Sequence, residues 1–314
     1  MLNSDNKFDF YSPSNLSIYA LDSTMQYQIK FLDNLDHITK KHSENVANVT
    51  SRICEYLNCK KEFTLYATMC AYLHDIGKIF IPKEILFKDD ELTDEEYEII
   101  KKHTIYGYNL CMKNPKLRMY AEGALYHHEC LDGSGYPYGI KGNKIPLSAQ
   151  IIHVADVYDA LVNKRHYTTH VNISSTLAKL IKENDDNKEV LAFSHLTDIK
   201  KEHKINKNAL NALFKVVIDD TNYEIHQLKL YTNSLKDDLS RLIQIAEFGE
   251  KMKKQKSPKK QEYYANGMKM LFHTGETMDN YFDVLNDYKD AIDTKYDLIK
   301  KLNEEIKILK KLKV

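Results

Sequence analysis

A chain of 314 residues with 43% apolar and 29% charged residues can bury a sizeable core and is too apolar to be disordered throughout. Its 45 basic residues balance 45 acidic ones, which argues against a protein that coats duplex nucleic acid or an anionic membrane with its whole surface, though not against a local basic patch. Ten glycines and six prolines are few for a chain that must turn every ~8–12 residues, so the composition favours an all-α protein over an all-β one.

Residues 1–21 are polar and read as a weakly ordered arm. Helical periodicity begins near Asp22 and runs through Glu44, Val46, Val49 and Ile53 to about Leu57. A second helix is expected from Glu62 to Asp75. A third is expected from Thr93, which can cap with Glu96 three residues on, to Lys113. Residues 130–148 hold four of the ten glycines and two of the six prolines, which marks an ordered functional loop. Helix resumes from Ser148 to Val162, residues 183–205 read as an insertion, and a short helix from Asn206 to Ile218 closes a domain spanning 22–220.

Residues 221–314 differ in character. Ile225, Leu228, Leu235, Leu239, Leu242 and Ala246 follow a seven-residue repeat, and so do Tyr281, Leu285, Tyr288, Ile292, Ile299, Leu302, Ile306 and Leu309. Two long helices with narrow apolar seams are predicted, either folded on each other as a hairpin or paired between chains as a coiled-coil homodimer. The stretch 250–267 between them reads as a basic linker, with six lysines between Lys251 and Lys260 and no acid. It is either solvated or a surface for acidic partners.

The five cysteines, at 54, 59, 70, 111 and 130, are odd in number and include no C-x-x-C pair. That speaks against a disulfide framework and a thiolate zinc ribbon. No apolar run reaches the ~18 residues of a transmembrane helix, and the first ten residues lack a basic-then-apolar leader pattern. The expected location is a reducing cytoplasm.

Nine of the thirteen histidines lie between residues 37 and 170. His74-Asp75 and His127-His128-Glu129 are adjacent sets, His42 and His103 lie on predicted helices, and Asp156 and Asp159 share the helix after the glycine-rich loop. Singly each is a weak signal. Together, imidazoles and carboxylates with little thiol form the ligand inventory of a site for Fe, Mn or Zn, with Ni or Co also accommodated. One aspartate can bridge two such ions, and paired ions clamp both oxygens of a phosphoryl transfer.

His74-Asp75-Ile76-Gly77-Lys78, followed by His127-His128-Glu129-Cys130-Leu131-Asp132-Gly133-Ser134-Gly135-Tyr136-Pro137, resembles the HD-GYP family of HD-superfamily phosphodiesterases. Ile81-Pro82, Leu92-Thr93-Asp94-Glu95-Glu96, Gly107, Ile145-Pro146-Leu147-Ser148-Ala149 and Ala155-Asp156-Val157-Tyr158-Asp159-Ala160-Leu161 extend the likeness over roughly residues 37–220. The resemblance implies an HD-type helical bundle with a dinuclear centre of Fe or Mn. His42, His74, Asp75 and Asp156 would hold one ion, and Asp75 would bridge to a second held by His103, His127 and His128. Lys78 would stand near the scissile phosphate, Gly133, Gly135, Tyr136 and Pro137 would shape the substrate loop, and Arg165 would pair with phosphate. Glu129 and Asp132 would support the loop.

Two departures from the family pattern bear on function. Ile38 stands where some members carry a glutamate for a third ion, so two ions are expected. The stretch Arg165-His166-Tyr167-Thr168 lacks the second cation usual there, although His166 or His170 could replace it in part. The implied activity is hydrolysis of a cyclic dinucleotide, cyclic di-GMP first, to pGpG or GMP. The competing readings are a cyclic dinucleotide receptor or scaffold and another HD-type nucleotide hydrolysis.

Overall fold

The structure is a computed structural model, described here for residues 30–88, 90–163, 173–185 and 204–312. Among these residues there is no strand. The helices are α1 (His37–Tyr56), α2 (Lys61–Leu73), α3 (Lys83–Leu86), α4 (Asp94–Lys101), α5 (His103–Lys113), α6 (Ala121–Tyr126), α7 (Leu147–Asn163), α8 (Ile173–Asp185), α9 (Lys207–Lys253), α10 (Pro258–Leu271) and α11 (Tyr281–Leu309). The chain divides into two compact units at Val217 and Ile218. The predicted arm at 1–21 and the contacts of Arg165, His166, Thr168 and His170 lie outside the described residues.

In the first unit α1, α2, α6 and α7 enclose a core that includes Val46, Ile53, Met69, Leu73, Ala124, Ile151, Ile152 and Ala155, all but fully buried. Of the helix expected from Asp22, the described residues show a 3-10 turn at Lys30–Asn34 and then α1 from His37. Asp36 caps it, accepting Thr39 N at 2.8 Å and Thr39 Oγ1 at 2.6 Å, and an aspartate so engaged ends the preceding chain rather than continuing it. The Thr93 capping box is formed in full. The helix it opens is broken at Lys102, so the expected element at 93–113 is two helices, α4 and α5.

The helix expected to close at Ile218 does not stop there. Asn206 accepts Ala209 N at 3.0 Å, and with no proline and no glycine before Gly249 the helix α9 runs unbroken for 47 residues. Within the second unit the two predicted seams meet in one chain as an antiparallel hairpin. Ile225 packs with Ile299, Leu302 and Ile306, while Leu242 and Ile245 pack with Leu285. The seam offered to a second chain is thus covered by this chain's own helix. The basic stretch is largely helical as well. Lys251 and Lys253 end α9, Pro258 takes the first position of α10, and only residues 254–257 turn between them. Met268 of α10 is fully buried against Leu242 and Ile245. No described helix is long and apolar enough to cross a membrane.

Candidate metal centre

Helix α2 ends at Leu73, and the backbone leaves the helical path at Asp75 (φ −98°, ψ 6°) before the 3-10 turn Ile76–Phe80. That break lets neighbours in sequence, His74 and Asp75, face one centre. Gly77 secures the turn. A Cβ there would collide with the His103 carbonyl and with Gly107 N, so only glycine lets the turn lie on the start of α5. α5 opens with His103, α6 hands over to His127 and His128 at its C-terminal end, α1 carries His42, and α7 carries Asp156 and Asp159.

Two groups of side chains converge. Asp75, His103, His127 and His128 each offer a ligand atom within 4.8 Å of the others, and so do His42, His74 and Asp156. Asp75 faces both. Its Oδ2 lies 3.5 Å from His42 Nε2 and 3.3 Å from His74 Nε2, while its Oδ1 lies 3.3 Å from His103 Nε2 and 3.9 Å from His127 Nε2. Asp156 reaches His42 Nε2 at 3.1 Å and His128 Nδ1 at 3.9 Å. All seven residues expected to ligate metal are therefore in one place. Lys78 joins them, its Nζ 2.5 Å from Asp75 Oδ2.

Backbone carbonyls orient the rings. Nδ1 of His74 donates to Ala71 O at 2.6 Å, that of His103 to Ile100 O at 2.6 Å, and that of His127 to Ala124 O at 3.0 Å. His42 Nδ1 bonds Asp159 Oδ2 at 2.7 Å. In His74, His103 and His127 Nε2 is left to face the centre, as a metal-binding histidine requires, while His42 Nε2 faces it beside Asp156 Oδ1 at 3.1 Å. Burial pushes His103 down to about 4 and holds His127 and His128 well below the usual histidine range, so these imidazoles are neutral. Burial opposes a charge on Asp75 and Asp156. The neighbouring His74 and Lys78 outweigh it at Asp75, and the hydrogen bond from His42 outweighs it at Asp156, so both stay carboxylates. Burial likewise opposes a charge on His42, but hydrogen bonds to Asp156 and Asp159 hold it up at about 10.

The unpaired atoms show that the donor set fits a cation. His74 Nε2, Asp75 Oδ1 and His128 Nδ1 are buried without a hydrogen-bond partner, an arrangement native interiors avoid unless something else satisfies it. His103 Nε2 and His127 Nε2 face each other at 3.2 Å although both rings already spend Nδ1 on carbonyls. Two such lone pairs repel unless a cation takes both, and imidazoles at ~2.0–2.1 Å from one ion have about this spacing. Ile38, in contrast, is 71% exposed on the first turn of α1 and offers no donor.

The loop after His128 is fixed from within. Glu129 accepts Tyr138 N at 2.7 Å and Ile140 N at 3.0 Å, and Asp132 accepts Ser134 N at 2.9 Å. A Cβ on Gly135 would strike the backbone of His128, Glu129 and Cys130, and Gly133 has φ +83°. Tyr136 N donates to His128 O at 3.1 Å, and the Tyr136 ring stacks on the His128 ring with centroids 4.6 Å apart at 27°. The Tyr136–Pro137 peptide is cis. Asp159, the partner of His42, was absent from the expected ligand set; its signal was its place one turn after Asp156 on the same helix face. His153, which donates to His127 O at 2.8 Å, was also missed.

With these residues in place, the chain belongs to the HD domain family, which matches residues 26–188. Within that family it is an HD-GYP member, as the Gly135-Tyr136-Pro137 loop and its relatives together show. It is 46% identical over 134 residues to a cyclic di-GMP phosphodiesterase of Thermotoga maritima, covering 42% of this chain and 36% of that protein. It is 38% identical over 159 residues to the cyclic di-GMP phosphodiesterase response regulator RpfG of Xanthomonas campestris pv. campestris, covering 50% and 42%. It is 36% identical over 155 residues to the 3′3′-cGAMP-specific phosphodiesterase 3 of Vibrio cholerae, covering 49% and 34%. The matched part of this chain thus spans about two-fifths or less of each of these relatives.

Proposed function

We propose that the chain is a metal-dependent phosphodiesterase that hydrolyses a cyclic dinucleotide, cyclic di-GMP first, to pGpG or GMP. The observation that carries this reading is Asp75, whose two oxygens face two separate sets of histidine and carboxylate donors. His42, His74, Asp75 and Asp156 would hold one divalent ion, and Asp75, His103, His127 and His128 a second, with Fe or Mn suited to the donors. Bound there, such ions supply an acidified water and neutralise phosphoryl charge.

The chain's own residues do the rest. Asp75 fixes both donor sets about one carboxylate. Lys78, held up by Asp75 against its burial, keeps its charge beside the centre; it meets negative charge developing on the phosphate and its leaving oxygen. The buried His103 and His127 and the half-buried Tyr136 ring beside them limit the access of bulk water to that charge. Arg165 is proposed to meet substrate phosphate.

One anaerobically purified sample tests the reading. Metal is counted per chain, and cyclic di-GMP and 3′3′-cGAMP are followed by chromatography with Mn or Fe(II) added. About two ions with pGpG or GMP appearing supports it. Bound metal with neither nucleotide cleaved transfers the site to a receptor role.

A further inference from the structure

Lys101 ends α4, two residues before His103. Its Nζ lies 4.5 Å from the centroid of the Tyr97 ring and 5.7 Å from that of Tyr136. Because Tyr136 stacks on His128 at 4.6 Å and meets His103 edge-on at 6.5 Å, the ammonium stands within about 10 Å of the His128 ring. The gap between cation and centre is spanned by one aromatic side chain.

This placement is held by local structure. The Thr93 capping box fixes the start of α4, and Lys88 adds a 2.6 Å bond to the capping glutamate Glu96. Tyr97 and Lys101 are four residues apart and share a helix face. Lys102, the single residue between α4 and α5, keeps a near-helical backbone (φ −64°, ψ −15°), so Lys101 is set close to His103 by the local chain path.

Lys101 also has capacity to spare. Of its three N–H donors, one goes to Glu98 Oε1 at 2.6 Å. Glu98 is 64% exposed, and an ion pair with so exposed a partner holds its cation weakly. The two tyrosine rings exclude water from part of the ammonium, and a partly desolvated cation gains more from an incoming anion than a fully hydrated one. Lys78, the other lysine of the site, is already committed to Asp75 beside the donor sets. A cyclic dinucleotide carries two phosphodiesters. When one lies at the centre, the other must lie a nucleotide away, where Lys78 cannot follow.

Resting on the reading that this site takes a cyclic dinucleotide, we infer that Lys101, framed by Tyr97 and Tyr136, is a substrate-binding residue for the phosphate that is not being cut. The test compares wild type, Lys101→Ala and Lys101→Arg on cyclic di-GMP and on bis(p-nitrophenyl) phosphate, a diester with one phosphate only, with metal content read on every sample. In Lys101→Ala the KM for cyclic di-GMP rises about tenfold or more, as loss of a charge-assisted hydrogen bond requires, while kcat/KM for the small diester and metal content stay within about twofold. Lys101→Arg recovers most of the loss, and the salt dependence of KM flattens in Lys101→Ala.

If the wild type binds cyclic di-GMP without cleaving it, Kd replaces KM with the same thresholds. An unchanged KM overturns the inference by making Lys101 a surface cation. An equal loss on both substrates, or a fall in metal content, overturns it by assigning Lys101 to the centre itself. In both cases the functional reading stands as long as the wild type cleaves cyclic di-GMP. A wild type that cleaves the small diester but neither binds nor cleaves a cyclic dinucleotide removes the functional reading and this inference with it.

Discussion

Replacing Asp159 asks how far the centre depends on a residue that is not among its seven expected ligands. Asp159 Oδ2 bonds His42 Nδ1 at 2.7 Å, while His42 Nε2 points at Asp156 Oδ1, 3.1 Å away, and at Asp75 Oδ2, 3.5 Å away. Alanine removes the acceptor that fixes both the tautomer and the angle of the ring. Loss of such a partner behind a ligating histidine costs about 10–100-fold in metal affinity, or about 1.4–2.7 kcal/mol. Asparagine keeps the size and an acceptor oxygen but not the charge, so its loss falls at the lower end. The assay is chelator competition for Mn or Fe(II) on wild type, Asp159→Ala, Asp159→Asn and His42→Ala, with a thermal melt of each to separate folding from binding. The order of affinities is expected to be wild type, Asp159→Asn, Asp159→Ala, His42→Ala. Asp159→Ala at wild-type affinity, with His42→Ala impaired, would refute the argument that the bond through Nδ1 sets the ring.

Asp75→Ala removes the carboxylate shared by both donor sets and is expected to abolish metal loading and turnover together; full activity in this variant would sink the assignment. Gly77→Ala forces a methyl into the backbone of α5 and should cost about 1–3 kcal/mol, or several degrees in melting temperature, with metal loading reduced because His103 must shift; an unchanged melt and metal content would contradict the close packing. Leu302→Ala empties a fully buried site in the hairpin and should destabilise the second unit by about 2–5 kcal/mol, read by denaturant unfolding. Arg241 forks onto Glu276 at 2.6 and 2.8 Å and holds its carboxyl below the usual glutamate range. A lowered folded-state pKa means that this pair's stabilisation is present above the ordinary glutamate value near 4.5 and is lost as pH falls below it. Glu276→Gln should lower stability at neutral pH and flatten that acid limb, and an unaltered acid limb would assign the sensitivity elsewhere.

The elements and donors that were legible in the sequence were those with strong local patterns. The seams from Ile225 to Leu309 declared two long helices because each repeats every seven residues, and the Thr93–Glu96 spacing declared a helix start. The histidines and Asp75 were legible as a set because the motif is long. The helix end expected at Ile218 and the break at Asp36 were misread for different reasons. A change of pattern at 218 marked a change in what the helix packs against, not a break in its hydrogen bonding, whereas Asp36 interrupts a periodic run through a side-chain bond that periodicity does not register. Asp159 was noted beside Asp156 but given no role, and His153, Tyr97 and Lys101 were not singled out, because their roles depend on partners from other helices or from a distant loop.

The same contrast explains why the motif reads His74-Asp75-Ile76-Gly77-Lys78. Adjacent residues on an intact helix point about 100° apart and cannot face one centre together. Ending α2 at Leu73 removes that constraint, but a chain leaving a helix there needs something to hold it. Gly77 supplies the hold by lying against the His103 carbonyl and Gly107 N, where any side chain would push the turn away. The contact that shapes the turn also fixes its distance from His103, the first residue of α5. Asp75 Oδ1 therefore comes 3.3 Å from His103 Nε2 while its Oδ2 faces His42 of α1 and His74 just past the end of α2. Lys78, one turn on, arrives at the same carboxylate with its charge intact. The carboxylate shared by two donor sets, those sets on either side and the lysine beside them are consequences of one helix end and one close backbone approach. A substitution at Gly77 should therefore disturb metal loading more than its distance in sequence from His103, His127 and Asp156 suggests.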